Sequence, residues 1–130
     1  LLFQHLRPSR PRVALIPVPL SPQRLVERGY NQSALIAAQL SRGTSLQLNV
    51  HSASRPKETL RQSDLSRQAR QDNLENAFAV KSSKLRDQPV ILLDDVATTG
   101  ATLLSLAHTL EQRHFRVLSA ITIAYANDRK

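Results

Sequence analysis

The chain has no cysteine, no methionine and no tryptophan, and only three glycines, two tyrosines and three phenylalanines among its 130 residues. Without cysteine there is no disulfide, no thiolate nucleophile and no cysteine-ligated zinc in this chain. Gly29, Gly43 and Gly100 are too far apart to write G-x-G-x-x-G or G-x-x-x-x-G-K-[ST], so a dinucleotide fingerprint and a Walker loop are both excluded. Phe3, Tyr30, Phe78, Phe115 and Tyr125 are too few for an obvious base-stacking platform. His5, His51, His108 and His114 show no metal-ligand spacing, so no metal-binding residues are assigned. No apolar run approaches the ~20 residues of a membrane helix, and no membrane partner is expected. The start, LLFQHLRPSRP, is too short and too basic for a signal peptide, and the expected location is cytoplasmic.

What is present suits one globular domain: 41% hydrophobic and 22% charged residues over 1–130. The lack of an initiator methionine suggests a piece of a longer protein. The net charge of +8 is unevenly spread. Residues 1–70 hold 11 Lys or Arg against Glu27, Glu58 and Asp64, whereas residues 71–130 hold seven of each sign. Such a surplus would attract nucleic acid, pyrophosphate or a nucleotide. A solvated basic face is the plainer alternative.

Val13 to Leu20 is β-branched and apolar until Pro17 and Pro19, which predicts a buried strand ending in a rigid loop. From Leu25 the apolar spacing becomes helical, through Leu35, Ile36 and Leu40, and Gly43 closes the helix. Leu46 to Val50 alternates as a short strand would. Residues 51–76 are polar and basic and read as a long flexible loop, with a helix over Leu65 to Asn76 capped by Ser63 or Asp64. Ala77 to Val80 predicts a brief strand. Val90 to Leu93 has no alternation, as expected of a strand covered on both faces; Thr99 to Arg113 is helical, and Val117 to Ala124 closes with a strand. The alternation of strands and helices predicts an α/β fold, a parallel β-sheet flanked by helices.

The stretch VILLDDVATTGATL, Val90 to Leu103, carries the chemistry. In a parallel sheet, ligands gather at the carboxyl ends of strands, where Asp94 and Asp95 are expected. A helix start follows, with unpaired N–H groups and the positive dipole end, suited to a phosphate. Thr98, Thr99 and Thr102 add hydroxyls, and Gly100 and Ala101 allow close approach. Carboxylates repel a phosphate but accept hydrogen bonds from vicinal sugar hydroxyls. Together they point to a ribose 5-phosphate. The alternative is that Asp95 merely caps the next helix.

This stretch resembles the 5-phosphoribosyl pyrophosphate (PRPP) signature of type I phosphoribosyltransferases, a group that includes the amidophosphoribosyltransferases. Pro17-Val-Pro-Leu20, Arg28-Gly-Tyr-Asn-Gln32 and Thr59…Gln62…Leu65…Arg70…Asn73…Ala77-Phe78 are similar to the pattern of the ComF/GntX family, over about residues 13 to 124. The resemblance implies the type I phosphoribosyltransferase-like fold and a link to competence, the uptake and use of external DNA. It implies that Asp94 and Asp95 hold the ribose 2- and 3-hydroxyls, and that Val96, Ala97, Thr98, Thr99, Gly100, Ala101 and Thr102 wrap the 5-phosphate. On the pyrophosphate side it implies Pro19 and Leu20, with Arg55 and Lys57 among the available cations. It implies residues 51–76 as a loop closing over PRPP, and Mg²⁺ with PRPP as cofactor. Family members carry an N-terminal zinc-ribbon-like segment that this chain lacks, consistent with a fragment.

Purine-type members of the fold carry an acid where this chain has Thr98, so the acceptor is left open. The expected activity is a phosphoribosyltransferase (a pentosyl glycosyltransferase). The alternative is a non-catalytic PRPP-binding module that uses its basic half on single-stranded DNA or regulates a partner. A homodimer is compatible with either.

Overall fold

The computed structural model describes residues 12–56 and 77–126. Four strands form a parallel sheet in the order β2-β1-β5-β6: β1 is Ala14–Pro17, β2 Gln47–Leu48, β5 Gln88–Ala97 and β6 Phe115–Tyr125. A second, two-stranded antiparallel sheet pairs β3, Ala53–Ser54, with β4, Ala79–Val80. The described residues also form three helices: α1, Pro22–Arg28; α2, Gln32–Arg42; and α3, Ala101–Glu111. A parallel sheet with helices on both faces is the expected α/β architecture.

β5 is central, with Val90↔Ala14 and Leu93↔Pro17 on one side and Val90↔Val117 and Leu93↔Ile121 on the other. Its neighbours cover both edges and the helices cover both faces, so the apolar run needs no alternation. The period of two still sorts the side chains. Leu15, Ile91 and Leu93 pack with Ala37, Ile36 and Leu40 of α2. Ala14, Ile16, Val90 and Leu92 pack with Leu106 and Leu110 of α3, joined by Ala53, Ala77, Phe78 and Phe115. Leu15, Leu92, Leu93, Leu106 and Leu110 are fully buried, each contributing about 1.5–3 kcal/mol of burial free energy.

The helix expected from Leu25 to Gly43 is broken in two. Gly29, at φ +80° in the left-handed region, ends α1 with its N–H on the Leu25 carbonyl. Asn31 then caps α2, its Oδ1 accepting the Ala34 N–H at 3.3 Å. Helical spacing of the apolar residues continued through the break, and the local chemistry of Gly29 and Asn31 won. The strand expected at Val90 to Leu93 runs on through both acids to Ala97, because β6 keeps pairing with it as far as Tyr125. Within the 51–76 segment, Ala53 is buried and Ala53–Ser54 pairs with Ala79–Val80. The helix expected over Leu65 to Asn76 lies outside the described residues.

Candidate functional site

Strand geometry sends neighbouring side chains to opposite faces. Leu93 lies on the α2 side and Leu92 on the α3 side. Their successors follow suit at the tip of β5. Asp95 borders a cavity of about 560 Å³ shared with Tyr30, Ile36, Val96 and Ile123. Asp94 borders the turn before α3. Both acids line a third cavity of about 410 Å³, with Val18, Pro19, Leu20, Arg24, Arg28, Asn31, Ser33, Arg55 and Thr102.

Ser33, buried in the first turn of α2, fixes the acid pair. Its hydroxyl donates to Asp94 Oδ1 at 3.5 Å, and its Oγ accepts the Asp95 N–H at 3.1 Å. Asp94 Oδ1 also accepts that N–H at 3.0 Å, and Asp95 Oδ1 accepts the Val96 N–H at 2.9 Å. The two carboxyl groups also lie against each other, side chain to side chain. Burial above all, then the Asp95 carboxylate beside it, pushes the Asp94 carboxyl from 3.8 up to about 6. The Asp95 N–H and the Ser33 hydroxyl pull it partly back.

The N-cap of α3 is Gly100, at φ +78° and without a side-chain cap hydrogen bond. Asp95 is therefore not the helix cap. Thr99 Oγ1 accepts the Ala101 N–H at 3.3 Å. The turn and the first turn of α3 enclose a cavity of about 50 Å³ lined by Asp94 and residues Val96 to Leu103. A single water needs only ~10–15 Å³, so a group of several oxygens has room beside a helix terminus whose dipole favours anions.

Pro19, Leu20 and Arg55 reach the central cavity, and the Arg55 guanidinium lies 5.4 Å from the centre of the Phe78 ring. Lys57 lies outside the described residues. Three residues of this lining were missed in the sequence: Arg24, Arg28 and Ser33. Arg24 and Arg28 did carry a signal, since a spacing of four on a helix puts both on one face directly after the PVPL loop. Arg28-Gly-Tyr-Asn-Gln32 makes the turn that opens α2. Asn31 Nδ2 donates to the Val18 carbonyl at 3.0 Å, joining the proline loop to α2, while Tyr30 stays half exposed beside Asp95.

No family model matches the chain. Competence protein F of Haemophilus influenzae is 42% identical over 101 residues, 76% of this chain and 44% of that protein. The chain belongs to the ComF competence family. DNA utilization protein YhgH of Escherichia coli K12 is 35% identical over 96 residues, 74% of this chain and 42% of that protein. Competence protein ComFC of Bacillus subtilis is 35% identical over 114 residues, 85% of this chain and 43% of that protein. The chain thus spans less than half the length of these ComF relatives. Among solved structures, a Trypanosoma cruzi hypoxanthine phosphoribosyl transferase is 11% identical at a TM-score of 0.47, over 98% of this chain and 66% of that one. An asparagine mutant of an HPRT is 16% identical at 0.41, over 97% and 67%.

Proposed function

We propose that the chain binds PRPP with Mg²⁺ at the tip of β5 and transfers its phosphoribosyl group to an acceptor, in the service of competence or the use of external DNA. One observation supports the reading above others: an acid pair and three arginines share a cavity that adjoins a small pocket at the start of α3. The ribose hydroxyls donate to the Asp94 and Asp95 carboxylates, and the turn from Ala97 to Thr102 takes the 5-phosphate. Arg24, Arg28 and Arg55 face the pyrophosphate. As C1 parts from the pyrophosphate oxygen, the electron pair leaves with that oxygen and the acceptor's lone pair forms the new bond at C1. The arginines neutralise the departing charge, and the fixed carboxylates hold the sugar in place.

Carboxylate oxygens are hard donors of the type Mg²⁺ prefers, so Asp94 and Asp95 are the residues that would hold the ion with PRPP. Bound there, the ion supplies further positive charge to the leaving pyrophosphate.

A second reading is a PRPP-holding module that regulates a partner without catalysing transfer. It is favoured by the cavity lining, in which, among the described residues, Asp94 and Asp95 are the titratable groups other than arginine. Calorimetric titration with PRPP and Mg²⁺ tests the shared part. Heat in the wild type and none in Asp94→Asn with Asp95→Asn is expected; equal heat in both, or none in either, ends the proposal. Pyrophosphate release across a panel of acceptor bases then separates transfer from regulation.

A further inference from the structure

Ala77-Phe78 belongs to the pattern read in the sequence, yet Phe78 lines none of the three cavities at the tip of β5. The small antiparallel sheet connects it to them. β3 and β4 pair in the register Ala53↔Val80 and Ser54↔Ala79, and one further step sets Arg55 opposite Phe78. Residues directly opposite in an antiparallel pair share a face, so the two side chains meet. The Arg55 guanidinium stands 5.4 Å from the centre of the Phe78 ring, within the range of a cation–π contact.

The ring is a fixed seat. Phe78 is 7% exposed and belongs to the core cluster of Leu106 and Leu110, with Leu103 and Ala107 packed against that cluster. The same cluster anchors α3, whose first turn carries Thr102 and Leu103 into the phosphate pocket. Arg55 for its part borders the central cavity with Asp94, Asp95 and Thr102. One buried ring therefore ties this cation to the helix that begins at the phosphate turn. An arginine loses rotamer freedom when it closes on an anion, and stacking on a fixed ring removes much of that freedom beforehand. Stacking engages the face of the guanidinium, whereas its N–H edge grips phosphate oxygens, so the two contacts do not compete.

We propose that Phe78 is a positioning residue for the pyrophosphate end of PRPP, holding Arg55 where the leaving group departs. This rests on the PRPP reading above and supplies the support behind one of its cations. Without the ring Arg55 keeps its charge but loses its seat. The contacts of the leaving group then weaken, while those of the ribose and the 5-phosphate stay.

Calorimetric titrations of the full chain with Mg²⁺ and, separately, pyrophosphate, PRPP and ribose 5-phosphate test it. Phe78→Leu and Phe78→Met fill most of the buried volume without a ring. In both, affinity for pyrophosphate and PRPP should fall about fivefold, as expected on loss of a cation–π contact. Ribose 5-phosphate should bind within twofold of wild type. Phe78→Tyr, which keeps the ring, should restore all three affinities to within twofold. Arg55→Gln should lose pyrophosphate by about tenfold or more, and adding Phe78→Leu to it should cost little further. Equal losses for all three ligands, ring-free variants within twofold of wild type for pyrophosphate, or additive losses in the double variant would overturn the positioning role and leave PRPP binding standing. Wild type that takes up no PRPP ends the PRPP reading, and this role with it.

Discussion

Ser33 and Asp94 meet across 61 residues of chain: the serine hydroxyl on α2 donates to Asp94 Oδ1 at 3.5 Å, and the same Oγ accepts the Asp95 N–H at 3.1 Å. A helix on one face of the sheet thereby sets the orientation of carboxylates on the strand beneath it.

Removing that hydroxyl should be felt at the acids. In Ser33→Ala the Asp94 carboxyl loses a partner that favours its charged form, so its pKa should climb above its present value of about 6. PRPP affinity at neutral pH should fall about fivefold, the worth of ~1 kcal/mol. Carbon-detected NMR titration of the aspartates reads the first effect and calorimetry the second. An unmoved titration would show that Ser33 does not govern the pair.

The raised carboxyl also makes a prediction for stability. Native Asp94 holds its proton to about pH 6, whereas the unfolded chain releases it near 3.8. The native state therefore binds more protons within that window, and stability should fall as pH rises through it. Asp94→Asn abolishes this slope. Its Tm at pH 7.5 should exceed that of the wild type by a few degrees while PRPP binding is lost, a trade of stability for function. Thermal melts at pH 4 and pH 7.5 check the sign.

Two glycines should respond oppositely to alanine. A Cβ at Gly100 would meet no atom within 4 Å, so Gly100→Ala acts only through its φ of +78°. The left-handed backbone costs a side chain about 1–2 kcal/mol, and distortion of the turn should weaken PRPP binding. Gly43, at φ −95° and equally uncrowded, should accept alanine with no loss or a slight gain. Urea unfolding of the two variants side by side makes the comparison.

Asn31 serves two elements at once, as the cap of α2 and as a donor to the Val18 carbonyl. Asn31→Ala should cost about 1–3 kcal/mol in urea unfolding, the sum of a cap and a partly buried hydrogen bond. It should also loosen the proline loop, and so reduce PRPP affinity further than Gly43→Ala does.

The sequence displayed the central strand openly, because Val90 to Leu93 has no alternation, as suits a strand covered on both faces, and the same stretch set Asp94 and Asp95 at the end of that strand. It also showed α3 and β6 to within two residues at most ends. At Gly29 to Asn31 a helical apolar rhythm on either side competed with local capping, and the capping prevailed. Ser33 was illegible, since a serine inside a helix is unremarkable until the topology brings it to a strand 61 residues away.

Both acids ride on a strand that is paired with β1 as far as Leu93 and with β6 as far as Ala97. Amides in such a position exchange with solvent only when the whole domain opens, while the Thr98 to Gly100 turn lies outside the ladder and can breathe alone. Deuterium uptake should thus be slow at Leu92 and Leu93 and fast at Thr99. Any ligand would then be admitted by the turn yielding, never by the carboxylates moving out of its way.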